Sequence, residues 1–392
     1  MKKYLIFFIL LATKFPLFSQ LYFNEISSSL DFNHSYFQGV SGAGVSFVDF
    51  DLDGLDDITI PTNGNTPILF LKNNGDKLYP LSFGIDFPYH VKQVLWIDFD
   101  NDFDKDLYVS SFSGKNKLYE NNGFFNFIDI TSSVNLPDSV SNSFGSSWSD
   151  INNDGYLDLL QTYRSGDSIN NTVSLYLNHE GKSFIDITNI SSISEVNKLP
   201  FCATFIDIDN NNVQDLYIAN DKSTGNSLYY NNLDSTFSNI STQSNTGVKM
   251  DAMSVTVGDF NNDSFFDIYS TNLEEGNKLF VNNQDLTFAE LADDKGVPFN
   301  AEGWGAQFED FDLDGYEDLY VSGSLVGSNV NSSAYYSNIF GKYFEKNISV
   351  GLDSDTVSSY GNAVGDINND GNPDIVVLNM EPFNSFLFKN IY

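Results

Sequence analysis

An acidic nonapeptide, D-x-[DN]-x-[DN]-x-x-x-D, recurs seven times along this chain, beginning at Asp49, Asp98, Asp150, Asp207, Asp259, Asp310 and Asp366. Successive starts lie 49, 52, 57, 52, 51 and 56 residues apart. Seven repeats of one unit predict an array of like modules rather than a single irregular core, and they leave no room for a separate catalytic domain. Oxygen side chains at positions 1, 3, 5 and 9, with a backbone carbonyl at position 7, are the ligands that a hard cation such as calcium takes.

The candidate side-chain ligands follow from the spacing. They are Asp49, Asp51, Asp53 and Asp57; Asp98, Asp100, Asp102 and Asp106; Asp150, Asn152, Asp154 and Asp158; Asp207, Asp209, Asn211 and Asp215. The last three loops supply Asp259, Asn261, Asp263 and Asp267; Asp310, Asp312, Asp314 and Asp318; Asp366, Asn368, Asp370 and Asp374. The position-7 carbonyls belong to Leu55, Asp104, Tyr156, Val213, Phe265, Tyr316 and Asn372. Up to seven calcium ions, one per unit, are expected. Magnesium fits less well, because it prefers a smaller shell that keeps several waters. Without a cation, three or four carboxylates in nine residues repel one another. Position 12 is never the glutamate an EF-hand needs; it is Ile60, Val109, Gln161, Ile218, Ser270, Val321 or Val377. Gly54, Gly155, Gly315 and Gly371 occupy position 6, where a sharp turn favours positive φ. Phe103, Asn212 and Ser264 replace that glycine, so the second, fourth and fifth loops are expected to be strained or weaker. The first and sixth are expected to bind most tightly and the fourth and fifth least.

Apolar residues flank every loop. Phe47, Trp96, Trp148, Phe205, Val257, Phe308 and Val364 stand two residues before it, and Ile58, Leu107, Leu159, Leu216, Ile268, Leu319 and Ile375 directly after it. Each loop therefore joins two short strands. A third run such as Leu175-Tyr176-Leu177 follows, often ending in an Asn-rich turn, and then a fourth such as Phe184-Ile185-Asp186-Ile187. Four antiparallel strands repeated radially predict an all-β, seven-bladed propeller. The seventh unit stops after its third strand at Tyr392, whereas Leu21 to Ile26 resembles a spare fourth strand. The N-terminal strand is thus expected to complete the last blade, leaving no unpaired edge.

The net charge of −34 owes much to the loops, whose ligand positions hold 24 of the 53 acidic residues. Arg164 is the only arginine, and so acidic a surface argues against nucleic acid or anionic lipid as partner. Lys2 and Lys3 precede an apolar run from Tyr4 to Ala12, so residues 1–19 read as an export signal and residues 20–392 as a single propeller. No later stretch is long and apolar enough to span a bilayer. Cys202 is the sole cysteine, so calcium rather than disulfides is expected to help stabilise an exported, monomeric protein.

The units resemble FG-GAP/VCBS repeats, the blades of integrin α-chain propellers and of many exported bacterial proteins. The aromatic-Gly pair of that family stands at Phe144-Gly145, Trp304-Gly305 and Tyr360-Gly361; Phe201-Cys202 lacks the glycine and Ala43-Gly44 the aromatic. The run Gly361 to Asp366 is also similar to bacterial relatives of cartilage acidic protein, without the extra C-terminal domain that often accompanies them. The resemblance implies the propeller fold and calcium, and says little of activity.

The sequence favours a binding module, for adhesion or for an extracellular protein or glycan, secreted or held at the cell surface. A polysaccharide-active lyase or hydrolase and a structural scaffold are the alternatives. His34, His90 and His179 stand in no recognisable catalytic motif. Phe144, Phe201, Met253, Trp304 and Tyr360 each lie six residues before a loop aspartate. They are expected to form a ring near the face opposite the acidic loops and to pack between blades.

Overall fold

The computed structural model describes residues 21–36, 42–62, 64, 66–164, 172–273, 275–324, 332–353 and 355–392. The segment read as an export signal, residues 1–19, lies outside them. The strands form seven four-stranded antiparallel sheets, the blades of a propeller. Six blades run in chain order, from Ser46–Val48 to Leu78–Leu81 in the first and from Glu302–Glu309 to Tyr343–Glu345 in the sixth. The seventh joins Ser359–Gly365, Asp374–Asn379 and Phe386–Asn390 to Phe23–Glu25. Phe23, Asn24 and Glu25 stand opposite Asn390, Lys389 and Phe388, so the expected closure is present. No helix among the described residues is long and apolar enough to cross a membrane.

The residues flanking each loop face opposite neighbours. Seven apolar clusters lie among the described residues, one at each blade interface. Trp96, before the second loop, packs back against Phe50 and Phe70 of the first blade. Phe99, inside that loop, packs forward with Leu159 and Tyr176 of the third. Each fully buried side chain of this size contributes roughly 1.5–3 kcal/mol, so the blade seams carry most of the fold's stability.

A polar stitch reinforces the seams. The third strand of every blade ends in asparagine, or one residue beyond it in the third blade: Asn73, Asn121, Asn178, Asn231, Asn282, Asn338 and Asn390. Its backbone N–H donates to Oδ1 of the position-9 aspartate at 2.7–2.8 Å in all seven. In all blades but the second, its side-chain amide donates to a loop carbonyl of the preceding blade at 2.6–2.9 Å. The Asn-rich turns read as hairpin signals are therefore also inter-blade clamps.

Candidate functional site

The acidic loops are wound by their own backbone. In each, the position-1 aspartate accepts the N–H groups of positions 5 and 6, as Asp49 does from Asp53 at 3.1 Å and Gly54 at 2.7 Å. The position-5 side chain accepts the N–H of position 7, as Asp102 does from Asp104 at 3.1 Å. This winding puts positions 4 and 6 in left-handed backbone. Phe103, Asn212 and Ser264 have φ of 72°, 62° and 71° where the other loops use glycine. Position 4, not singled out from the sequence, is also left-handed in all seven loops, with Asn in five and Leu52 and Leu313 in two. Asn tolerates this conformation better than Leu.

Carboxylate oxygens of Asp49, Asp51 and Asp53 lie within 4.8 Å of one another, as do those of Asp98, Asp100 and Asp106, of Asp207, Asp209 and Asp215, and of Asp310, Asp312 and Asp314. The third, fifth and seventh loops carry asparagine at position 3 and bring together no such acidic trio among the described residues. The position-9 aspartates are buried, and burial pushes Asp57, Asp158, Asp215 and Asp374 up to about 7 and Asp106, Asp267 and Asp318 up to about 8. At position 3, one oxygen each of Asp51, Asp100, Asp209, Asp312 and Asn368 is buried with no hydrogen-bond partner. An orphaned acceptor recurring at one position of five loops fits a ligand set that a cation would complete.

The residue before the clamp asparagine passes beside each loop, a position the spacing did not flag. It is Lys72, Glu120, Leu177, Tyr230, Val281, Ser337 and Lys389 in blade order. Lys72 Nζ bonds Asp51 and, at 2.6 Å, Asp53. Tyr230 donates to Asp209 at 3.1 Å. Neighbouring loops also touch. The position-4 amides of Asn101, Asn153, Asn210 and Asn262 donate to the position-6 carbonyls of Gly155, Asn212, Ser264 and Gly315 in the next blade, at 2.6–3.1 Å. Asp56 accepts the N–H groups of both Asp49 and Asp366, tying the first loop to the seventh.

A second concave feature lies on the axis, at the opposite end of the inner strands. Five of those strands are bulged at the residue six before the loop, around Lys92, Phe144, Phe201, Trp304 and Tyr360. A bulge re-aims its side chain, and here all five line one axial cavity of about 180 Å³ together with Met253. The following glycine admits the next blade: a Cβ on Gly145 would stand 3.0 Å from the Phe201 carbonyl, and one on Gly361 2.8 Å from that of Ala43. The aromatic-Gly pair is thus a bulge followed by a close approach.

The expected aromatic ring is present and larger than the sequence suggested. Tyr36, His90, Phe112, Phe144, Phe201, Trp304 and Tyr360 form a closed circuit of ring contacts with centroids 4.6–6.4 Å apart. Met253 lines the cavity without joining the circuit. Lys92 Nζ lies 4.9 Å from the Phe144 centroid and Arg164 5.4 Å from it. Burial, then the Arg164 charge, lowers Lys92 to about 7, and burial with Lys92 lowers His90 to about 4. His90 Nε2 is 3.0 Å from the Tyr36 hydroxyl, whereas His179 ends a strand in solvent.

A family profile described as FG-GAP-like repeat matches residues 98–161, 207–270 and 259–321. No curated protein sequence matches the chain. Among solved structures, it is similar to an Agrocybe aegerita lectin that recognises non-reducing terminal N-acetylglucosamine, at 15% identity and a TM-score of 0.51, covering 87% of this chain and 86% of that one. It is also similar to YCF48 from Cyanidioschyzon merolae, at 13% identity and a TM-score of 0.51, covering 94% and 98%. Such low identities establish the fold alone. The three matched stretches and the seven blades around them fit an FG-GAP repeat propeller.

Proposed function

We propose that this propeller is an exported, calcium-stabilised binding module for a protein or glycan outside the cell or at its surface. The orphaned position-3 oxygens carry the calcium reading. Positions 1, 3, 5 and 9 of each loop, with the position-7 carbonyl, would hold the ion. Bound there, it would supply positive charge to carboxylates that burial otherwise drives toward their protonated form. The protein's share is to hold those oxygens in place through the wound loop and the clamp asparagines. Loops and a cavity on a rigid ring support the binding reading, since recognition usually sits on such a scaffold, and a lectin shares the fold.

Melting curves with calcium and with EDTA test the first half. A site held at a hundred times its dissociation constant adds about 2.7 kcal/mol, so chelation should lower the melting temperature by many degrees. An unchanged curve would leave the loops as bare turns. Glycan and protein arrays probed in calcium, with a chelated control, test the second half; reproducible turnover of an arrayed polysaccharide would replace the module with an enzyme.

A further inference from the structure

The seams between blades repeat one joint, so a position that behaves differently in one of them stands out. Eleven residues after Phe127, Phe184, Phe237 and Phe288, the first strongly apolar residues of four outer strands, come Asp138, Glu195, Val248 and Phe299. Three of these four fill the seam they enter. Val248 and Phe299 pack in apolar clusters. Glu195, 0% exposed, accepts the Tyr229 hydroxyl at 2.6 Å, the Ser227 hydroxyl at 2.7 Å and the Asn220 amide at 2.8 Å. Asp138 instead turns outward, held by Lys115 at 3.1 Å and Lys117 at 2.9 Å.

The space that Glu195 fills between the third and fourth blades is therefore open between the second and third. Tyr163, Ser174 and Tyr176 stand at the strand positions of Asn220, Ser227 and Tyr229. They line a cavity of about 250 Å³, and their hydroxyls pair with one another. Pro137 and Ser139, which also line it, are exposed, and Ser141, Tyr163 and Ser174 are partly so, so solvent reaches its walls.

The chemistry of the lining is neutral. Among the described residues no charged side chain borders the cavity, in a chain of net charge −34. Ser141 falls at the count that gives Lys198 in the next seam, where Nζ lies 3.5 Å from Glu195. A carboxylate entering the open seam would lack that cation, and burying an unpaired charge is costly. A hydroxyl both donates and accepts, so a ligand that does both matches these walls. The volume exceeds the ~150 Å³ that admits one benzene ring, which leaves room for one substituted six-membered ring against the tyrosine faces.

We propose that the seam between the second and third blades binds one neutral pyranose, whose hydroxyls exchange hydrogen bonds with Tyr163, Ser174 and Tyr176. This rests on the glycan half of the reading above and deepens it by naming an uncharged sugar as the residue recognised.

Titration of the full chain in calcium with methyl glucoside, methyl galactoside, methyl mannoside and N-acetylglucosamine, followed at the backbone amides of Ser141, Tyr163 and Ser174, reads the site. At least one of these sugars should move the three amides saturably, and sodium glucuronate should bind at least tenfold more weakly. Tyr163→Phe keeps the ring and removes one hydroxyl, so it should weaken binding about fivefold. Ser174→Leu should abolish binding by filling the cavity; the gentler Tyr163→Phe keeps the test decisive if that variant fails to fold. No saturable shift from any of the sugars overturns the site, as does undiminished binding in Tyr163→Phe. Glucuronate binding as tightly as the best sugar overturns the neutral assignment. Glycan-array binding with these amides still would sink the seam site yet leave the calcium-dependent module standing, whereas a blank glycan array with still amides would remove the glycan reading itself.

Discussion

The first and second acidic loops present the same four aspartates, yet the strand beside them carries opposite charge. Lys72 reaches into the first loop and bonds Asp51 and Asp53. Beside the second stands Glu120, where burial, Asp102, Asp98 and Glu120 together push Asp100 and Asp104 up to about 6. The turn residue favours the first loop, since Gly54 takes φ of 92° without strain and Phe103 takes 72° with it. That strain is worth of order 1 kcal/mol. A unit charge about 4 Å away at an effective dielectric constant of 20 is worth about 4 kcal/mol. The neighbouring charge should therefore win, and the second loop should hold calcium more tightly than the first. Ligand letters within a loop rank sites only when the strands beside them are alike.

The harshest way to break this comparison is to reverse the charge. Lys72→Glu should raise the calcium affinity of the first loop by at least a hundredfold, since an added carboxylate and a removed ammonium each contribute up to about 4 kcal/mol. Site-resolved NMR on the Gly54 and Phe103 amides during a calcium titration would show which loop fills first. An unchanged order in that variant would mean that Lys72 swings clear of the ion at little cost. In the unmodified chain the Phe103 amide should respond before that of Gly54, by at least tenfold in calcium, and Glu120→Lys should invert the two.

Protons sharpen the same contrast. The second loop holds Asp100 and Asp104 at about 6 and Asp106 at about 8, whereas in the first only Asp57, at about 7, is raised so far. A carboxylate must shed its proton to take calcium, so the affinity of the second loop should fall more steeply than that of the first as pH drops from 8 to 6. Without calcium the sign reverses for stability. These folded-state values lie above the ordinary 3.8, so the calcium-free fold is favoured at low pH and loses stability as pH rises from 3.8 toward them. Calorimetry at several pH values with and without EDTA would register both trends; parallel slopes for the two loops would remove the proposed difference.

Smaller effects isolate the backbone. Phe103 is 85% exposed, so Phe103→Gly sacrifices no packing and should stabilise the calcium-free protein by up to about 1 kcal/mol. Leu52→Asn should give a few tenths more than it costs, since Asn suits φ of 59° and would point its amide toward the second loop as Asn101 does toward the third. Denaturant melts in EDTA would detect either; a loss of stability in both would show that these conformations are imposed without strain.

Blade number, strand order and the closing strand were legible in the sequence because each rests on local pattern: apolar residues flanking a loop, an incomplete last unit and a spare first strand. The loops' ligand letters were equally plain. What surrounds them was not. Lys72 and Glu120 lie on a different strand from the loop they serve, and nothing in their own neighbourhood marks them. The second role of the clamp asparagines, in the adjacent blade, was hidden for the same reason. The recurring asparagine at position 4 was visible in the aligned copies, but only the winding of the loop gives it meaning. At the axis, the bulge position lies a fixed six residues before the aspartate and is legible from that spacing. Lys92 is hidden because it breaks the aromatic pattern, and Arg164 and Phe112 because they come from the ends of neighbouring strands.

The strand Phe23–Glu25 pairs with Phe386–Asn390, so the earliest and latest described strands meet in one blade. A chain that emerges N-terminus first must therefore hold that first strand open until nearly every other described residue has appeared. Six blades can assemble as they emerge, whereas the seventh waits for Phe386–Asn390. A protease meets an unlocked ring until that moment, and then one whose first and last described strands are sewn into the same sheet.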